Sequence, residues 1–288
     1  MRKKITILCL SALLGGAALA QGLPNPFDVG LGVRAAGFGG AYTALAQGPE
    51  ALLYNPAGLA ATTGLRADSA YSSPMGLYSV TWIAGAMPGL GAGMAYLSAG
   101  KITDPEDNPL TFSHVAFVAG GALPADRLPY LGRLLPWPVI VGLNLKYDRV
   151  QMADEVGGNV AFDVGALANL DSPLGALRLG LAILDLGAGI GLGERNEGWT
   201  TSLTLGAALG MPVGLILSID LAIDRLALGL GWDFGHGLEV RGGFSSQGGV
   251  IHFSLGLGVS WRSFVLDYAL TTHPVLGLSH RLALGMAF

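Results

Sequence analysis

A single cysteine, Cys9, occurs in the 288 residues, and it falls within the first twenty. The remainder of the chain can therefore form neither a disulfide nor a thiolate site. Lysine is nearly as scarce: past residue 4 there are only Lys101 and Lys146. Charged residues make up 12% of the chain against 51% hydrophobic, with a mean hydropathy of +0.52. A spanning helix takes about 20 consecutive apolar residues, yet beyond residue 20 every apolar run is cut within a few positions by Gly, Ser, Asp or Arg. The hydrophobicity must be spread over many short elements. The 16 basic residues less the three of the first stretch leave 13 against 20 acidic, a net of −7. That balance argues against a nucleic-acid partner.

What is present begins with "MRKKITILCLSALLGGAALA": a basic start, an apolar stretch from Ile5 to Leu14, and small residues at Ala18 and Ala20. This pattern predicts a secretory signal over residues 1–20, cut before Gln21. The apolar part is short for an uncleaved anchor, and Leu8 is too large for a lipoprotein cleavage site ahead of Cys9.

From residue 65 onward, apolar residues alternate with small or polar ones. In "VIHFSLGLGVSW" Ile251, Phe253, Leu255, Leu257, Val259 and Trp261 share one strand face, opposite His252, Ser254, Gly256, Gly258 and Ser260. "VGLILSIDLAID", "VIVGLNLKYDRV", "GWTTSLTLGAAL" and "NVAFDVGALANL" repeat the pattern. A soluble β-sandwich also alternates, but its outer face would carry Lys, Glu and Thr, whereas here that face is mostly Gly, Ala and Ser. The expected fold is all-β: a transmembrane antiparallel β-barrel over 65–288 of about 14 strands, near 65–73, 77–87, 89–99, 112–123, 138–151, 157–170, 175–186, 198–211, 213–223, 225–234, 237–246, 250–260, 262–271 and 280–288. An even count places both barrel ends on one side of the membrane. Long connections are then expected at 100–111, 151–157, 187–197 and 272–279, and tight ones on the periplasmic side. Residues 123–138 break the parity and suggest a small interfacial helix. Trp232, Phe234, Trp261, Phe264 and Phe288 are expected on one aromatic girdle.

Residues 21–64 do not alternate. Dense in Gly and Ala, with Asn55 barred from the helical region by Pro56, they suit a compact hatch or plug inside the lumen, opposite a wall of small inward residues. The pattern Gly32-x-Arg34-Ala35-x-Gly37-x-Gly39-Gly40-Ala41-Tyr42, followed by Tyr54-Asn55-Pro56-Ala57-Gly58-Leu59-Ala60, resembles the N-terminal signature of the PorV/PorQ group within the FadL-like outer-membrane proteins. "LDYAL" at 266–270 and "LGLSHRLALGMAF" at the end are similar to that group's closing hairpin and to the C-terminal signal read by the barrel-assembly machinery. The resemblance implies a fourteen-stranded barrel with an N-terminal hatch in the outer membrane of a diderm bacterium. It further implies passive transport of small hydrophobic molecules or, alternatively, a non-conducting scaffold docking secretion or envelope partners. The chain departs from the group in two ways: the acidic residue usual before the Asn-Pro step is represented only by Glu50, and the exterior loops are short.

Chemistry of other kinds is weakly represented. "GAGIGLG" at 187–193 and "GFGG" at 37–40 do not join a strand to an amphipathic helix, as a nucleotide loop would. The histidines at 114, 236, 252, 273 and 280 lack metal-ligand spacing, and no G-x-S-x-G elbow occurs. No enzyme activity, cofactor or metal is expected. The candidate hatch residues are Arg34, Gly37, Gly39, Gly40, Asn55 and Pro56. The inward polar set comprises Lys146, Asp148, Asp163, Asp220, Asp233, Glu239, Arg241, His252 and Asp267, with Arg178, Asp224 and Arg281. Arg34, the only basic residue between Gln21 and Leu65, is expected to bond a wall carboxylate, with Asp220, Asp233 and Asp267 as candidates. Inward Ile83, Leu97 and Val265 are expected to favour an apolar path.

Overall fold

A computed structural model of the chain describes residues 25–27, 30–76, 78–99, 102–103, 109–110, 112–129, 138–152, 155–187, 189–192, 195–198 and 200–288. The expected signal segment lies outside them. Fourteen strands close into one antiparallel barrel. They are β1 (Arg66–Ser73), β2 (Tyr78–Met87), β3 (Leu90–Ala99), β4 (Phe112–Pro124), β5 (Val139–Met152), β6 (Glu155–Ser172) and β7 (Gly175–Gly187). The second half comprises β8 (Ser202–Gly210), β9 (Leu215–Ala222), β10 (Arg225–Asp233), β11 (Leu238–Gln247), β12 (Val250–Trp261), β13 (Phe264–His273) and β14 (Gly277–Ala287). Each strand pairs with its sequence neighbours, and β1 closes on β14 with Arg66 opposite Ala287. Closure removes the exposed sheet edges that no hydrocarbon could satisfy.

The alternation sets which way each side chain points. Along β12, Ser254, Gly256 and Gly258 are buried inward while Leu255 is 64% exposed. The same holds for Leu143, Leu145 and Tyr147 on β5 and for Leu217 and Leu221 on β9. So many large apolar side chains on one outer surface are unaffordable in water but suited to acyl chains, where a charge at mid-depth costs about 2–4 kcal/mol. Trp232, Phe234, Trp261, Phe264 and Phe288 all lie exposed at the rim where β1 begins and β14 ends, here the terminal rim. The Trp232 and Phe234 rings stack there at 5.3 Å.

Three local expectations need correction. Links 151–157 and 272–279 are not long: only 153–154 separate β5 from β6, and 274–276 separate β13 from β14. The backbone ladder continues past the point where the apolar alternation fades, because ladder hydrogen bonds require no apolar side chain. Ile83 faces outward, at 54% exposure, and Trp82 is the inward residue, 1% exposed. The indole takes the space left by Gly93, where a Cβ would fall 2.8 Å from Trp82 Cζ2, and meets Phe27 edge-on at 6.1 Å. The link after β4 begins with a 3-10 turn, Ala125–Arg127; the interfacial helix expected nearby would fall mainly at 130–137, outside the described residues.

A fourteen-stranded barrel is too wide for its own side chains to fill. Residues 31–62 are mostly buried and pack against inward wall residues. They form two short helices, α1 (Val33–Gly37) and α2 (Ala51–Tyr54), and a 3-10 helix at Pro56–Ala61. On the β2 to β4 side the contact is apolar: Leu31, Leu52 and Leu59 join a cluster with Val80, Trp82, Leu97 and Val118. Elsewhere hydrogen bonds and ion pairs join it.

Candidate functional site

The wall glycines mark where the N-terminal segment touches the barrel. A Cβ at Gly180 would sit 2.8 Å from Thr43 O, one at Gly206 2.8 Å from Thr43 Cβ, and one at Gly229 2.8 Å from Phe38 O. Gly142 and Gly165 leave no room for a side chain against Pro56, Ala57 and Asn55. The belt runs from β5 around to β12, so the missing bulk on the inward face is the imprint of a backbone lying against it.

Directed hydrogen bonds fix the segment at three places. Asp220, 1% exposed on β9, accepts from the backbone N–H of Tyr42 and of Thr43, each at 3.0 Å, and from Thr43 Oγ1 at 2.7 Å through a single carboxylate oxygen. Asn55 is extended (φ −165°), as its proline neighbour requires. Its Oδ1 accepts from Ala57 N at 3.1 Å, capping the 3-10 helix that starts at Pro56. Its Nδ2 donates to Thr43 O at 3.0 Å and to Ala166 O on β6 at 3.1 Å. The third anchor is Arg34, which meets Glu239 in a two-pronged pair, Nε to Oε2 at 3.2 Å and Nη2 to Oε1 at 3.1 Å. Its carboxylate partner is thus none of the three candidates. Asp220 is taken by Tyr42 and Thr43, and Asp267 pairs with Arg241 Nη1 at 2.6 Å. Asp233 lies exposed at the terminal rim and accepts from Gly235 N. Glu239 also accepts from Arg241 Nη2 at 2.8 Å, giving a row Arg34, Glu239, Arg241, Asp267 from α1 across to β13.

The remaining inward polar residues group on β4 to β7. Lys146 Nζ lies 2.9 Å from Asp163 Oδ1 and 2.7 Å from Asp185 Oδ1, all three nearly fully buried, and 5.1 Å from the Phe27 ring centroid. Asn144 Nδ2 donates to Asp163 and to Leu52 O, while Asn25 donates to Asp185. Asp148 pairs with His114 at 2.6 Å, both fully buried. Sequence reasoning missed Asp185 and His114 as partners. Asp185 has a positive φ of 61° at a register shift in the β6–β7 ladder; this irregularity turns it inward, out of step with the alternation. His114 does sit at an inward alternate position of β4, a signal that a search for metal spacing passes over.

Other expected residues sit apart from these anchors. His252 bonds Thr272 O through Nδ1 at 2.9 Å. Arg281 donates to Thr271 Oγ1 at 2.8 Å, and Arg178 approaches Ala46 O at 3.5 Å. Asp224 borders a cavity at the far rim. Gly39 and Gly40 adopt positive φ of 67° and 83° in the turn after α1, where glycine is favoured. Leu97 is buried against the N-terminal segment, and Val265 borders a cavity.

No protein-family model and no curated protein matches the sequence. The fold is similar to that of an outer-membrane channel. The solved structure of a TodX mutant, a monoaromatic hydrocarbon channel, gives a TM-score of 0.52 at 10% identity, over 83% of this chain and 94% of that one. Omp33 of Acinetobacter baumannii gives 0.46 at 7% identity, over 78% and 98%. The KdgM porin gives 0.39 at 9%, over 77% and 99%. At such identities the likeness is one of fold, and the arrangement of the lumen has to speak for the rest.

The lumen is not filled completely. One cavity of about 280 Å³ opens below α1 among Arg34, Glu50, Asp68, Asp233, Glu239 and Asp267. Another of about 270 Å³ lies above it, among Thr43, Asp224, Arg225, Ser245, Thr271 and Arg281. Glu50 Oε1 accepts from the Arg34 backbone N–H at 3.0 Å, and burial pushes the Glu50 carboxyl up to about 7.

Proposed function

We propose that the protein is an outer-membrane barrel through which small molecules pass by diffusion, with residues 30–62 acting as a hatch. The observation that carries this reading is the pairing of a lipid-suited outer face with a lumen whose filling is held by side-chain anchors and leaves cavities at both ends. The PorV/PorQ resemblance and the fold likeness to a hydrocarbon channel support the same assignment, with the terminal rim on the periplasmic side and the C-terminal strand presented to the assembly machinery.

The resemblance also implies an apolar cargo. Such a cargo would need an apolar track past the hatch, and the inward apolar residues Val80, Trp82, Leu97 and Val118 are packed against the segment itself. Passive transport is therefore the reading kept, with the cargo to be decided by the lumen's chemistry. The density of anchors favours the second reading, a closed scaffold that docks envelope or secretion partners. Reconstitution of the full chain in planar bilayers separates them: solute-dependent current supports the channel, and a membrane that stays silent at all voltages supports the scaffold.

A further inference from the structure

The two cavities share no bordering residue, and the end of α1 lies between them. Along β11, Glu239 and Arg241 border the lower cavity and Ser245 the upper. Along β12, Gly258 and Ser260 border the lower and Ser254 the upper. Between them, at Gly243 and Gly256, the wall meets the end of α1 and the turn after it. A Cβ on Gly256 would lie 2.8 Å from Gly37 Cα, and one on Gly39 2.7 Å from Phe244 N. The partition there is the backbone of Gly37 to Gly39 resting on wall glycines, with the Arg241 side chain packed beside Gly37 and the buried Phe38 ring against Gly229 and Gly231. What ties α1 to β11 beside it is the Arg34–Glu239 pair.

We infer that small hydrophilic solutes cross the barrel along the β11 to β13 wall, and that α1, latched by Arg34 to Glu239, is the gate between the two chambers. This rests on the reading of the barrel as a diffusion channel. Both chambers carry ionic groups among their apolar lining. Both signs occur in each: the lower holds Glu50, Asp68 and Asp233 with Arg66, the upper Asp224 with Arg225 and Arg281. Glu50 borders the lower chamber and Arg281 the upper, and within the described residues the buried Glu50 Oε2 and Arg281 Nε have no hydrogen-bond partner. A solute carrying both charges, such as an amino acid, can therefore exchange water for protein contacts on either side, whereas a hydrocarbon would face buried charge without compensation. The chamber volumes, below the range of about 300–1,000 Å³ typical of drug-sized ligand sites, restrict the cargo to small molecules.

The test uses the full chain in planar bilayers and in glycine-loaded swelling assays. Glu239→Gln removes the charge from the latch, and the open population, read as mean current and glycine flux, is expected to rise about tenfold or more, as loss of a charge-assisted pair implies. Ser245→Cys and Ser260→Cys place single thiols in the upper and lower chambers, since the chain has no cysteine after residue 9. A small cationic thiol reagent should reduce the current at both positions, and in the Glu239→Gln background it should reach Ser260→Cys when added from the far side alone. Current that ignores Glu239→Gln and both modified thiols would place the route elsewhere and overturn the inference while leaving the channel reading standing. No current from any variant would overturn the channel reading itself.

Discussion

Replacing Asp220 with alanine perturbs the buried N-terminal segment at its most concentrated anchor. One carboxylate oxygen accepts three hydrogen bonds there, two of them from backbone N–H groups of Tyr42 and Thr43. Tyr42 and Thr43 are 1% and 2% exposed, so alanine leaves two buried donors without an acceptor, at about 1–3 kcal/mol each. The Thr43 hydroxyl can rotate toward another partner and is left out of the sum. Arg225, 3.8 Å away and partly exposed, adds little, because an ion pair open to solvent is worth about 0–1 kcal/mol. A loss of about 3 kcal/mol corresponds to roughly a hundredfold in the equilibrium between docked and released segment. Hydrogen exchange of peptides covering residues 38–46, read by mass spectrometry in detergent, should accelerate by that factor. Asp220→Asn keeps an acceptor oxygen and should give about a tenth of the effect. Unchanged exchange in Asp220→Ala, with the barrel still closed, would refute the reasoning that this carboxylate holds the segment.

Three further perturbations address other contacts. Lys146→Met leaves Asp163 and Asp185 facing each other in a buried site and should destabilise the barrel by about 3–5 kcal/mol in urea unfolding; the triple change with Asp163→Asn and Asp185→Asn should recover most of it. Gly180→Leu drives a side chain into Thr43 O without altering any charge and should release the segment at a cost of about 1–3 kcal/mol, seen as protease sensitivity between residues 38 and 50. For Glu50, which lies outside the spanning strands, burial raises the carboxyl from 4.5 to about 7, with Asp267 and Asp68 adding to the effect and the bond from Arg34 N–H opposing it. The docked form then holds more protons than the released form between those values, so docking should strengthen as pH falls from about 7 to about 4.5 and lose this contribution above about 7. Exchange at pH 5 and pH 8 reads this, and Glu50→Gln should flatten the difference.

How much of this was written legibly in the sequence depends on the element. Strands such as β9 and β12 could be placed to within about two residues, because lipid on one side and a lumen on the other impose a strict period of two. Fourteen strands and the aromatic rim follow from the same rule. For residues 31–62, the small residues and the Asn55–Pro56 step pointed to a compact non-strand segment, but not to its partners: pairing Arg34 with Glu239 requires knowing which rim α1 lies nearest, a matter of three-dimensional packing. Parity reasoning fails where the inward residues are as large and apolar as the outward ones, as along β2 with Val80, Trp82 and Ala84 inward, or where the ladder shifts. Trp82 faces inward because Gly93 on the neighbouring strand makes room for it, and Asp185 reaches Lys146 through a register shift between β6 and β7. Neither accommodation leaves a trace in the alternation of its own strand.

Nitroxide labels in a bilayer test most directly whether the large outer side chains meet lipid. A label at Leu257, on the outer face of β12, should be open to dissolved oxygen and closed to a water-soluble nickel reagent, while a label at inward Ser260 should be open to the nickel reagent. A Leu257 label shielded from both, as in a protein core, or freely open to nickel, as in water, would contradict the account.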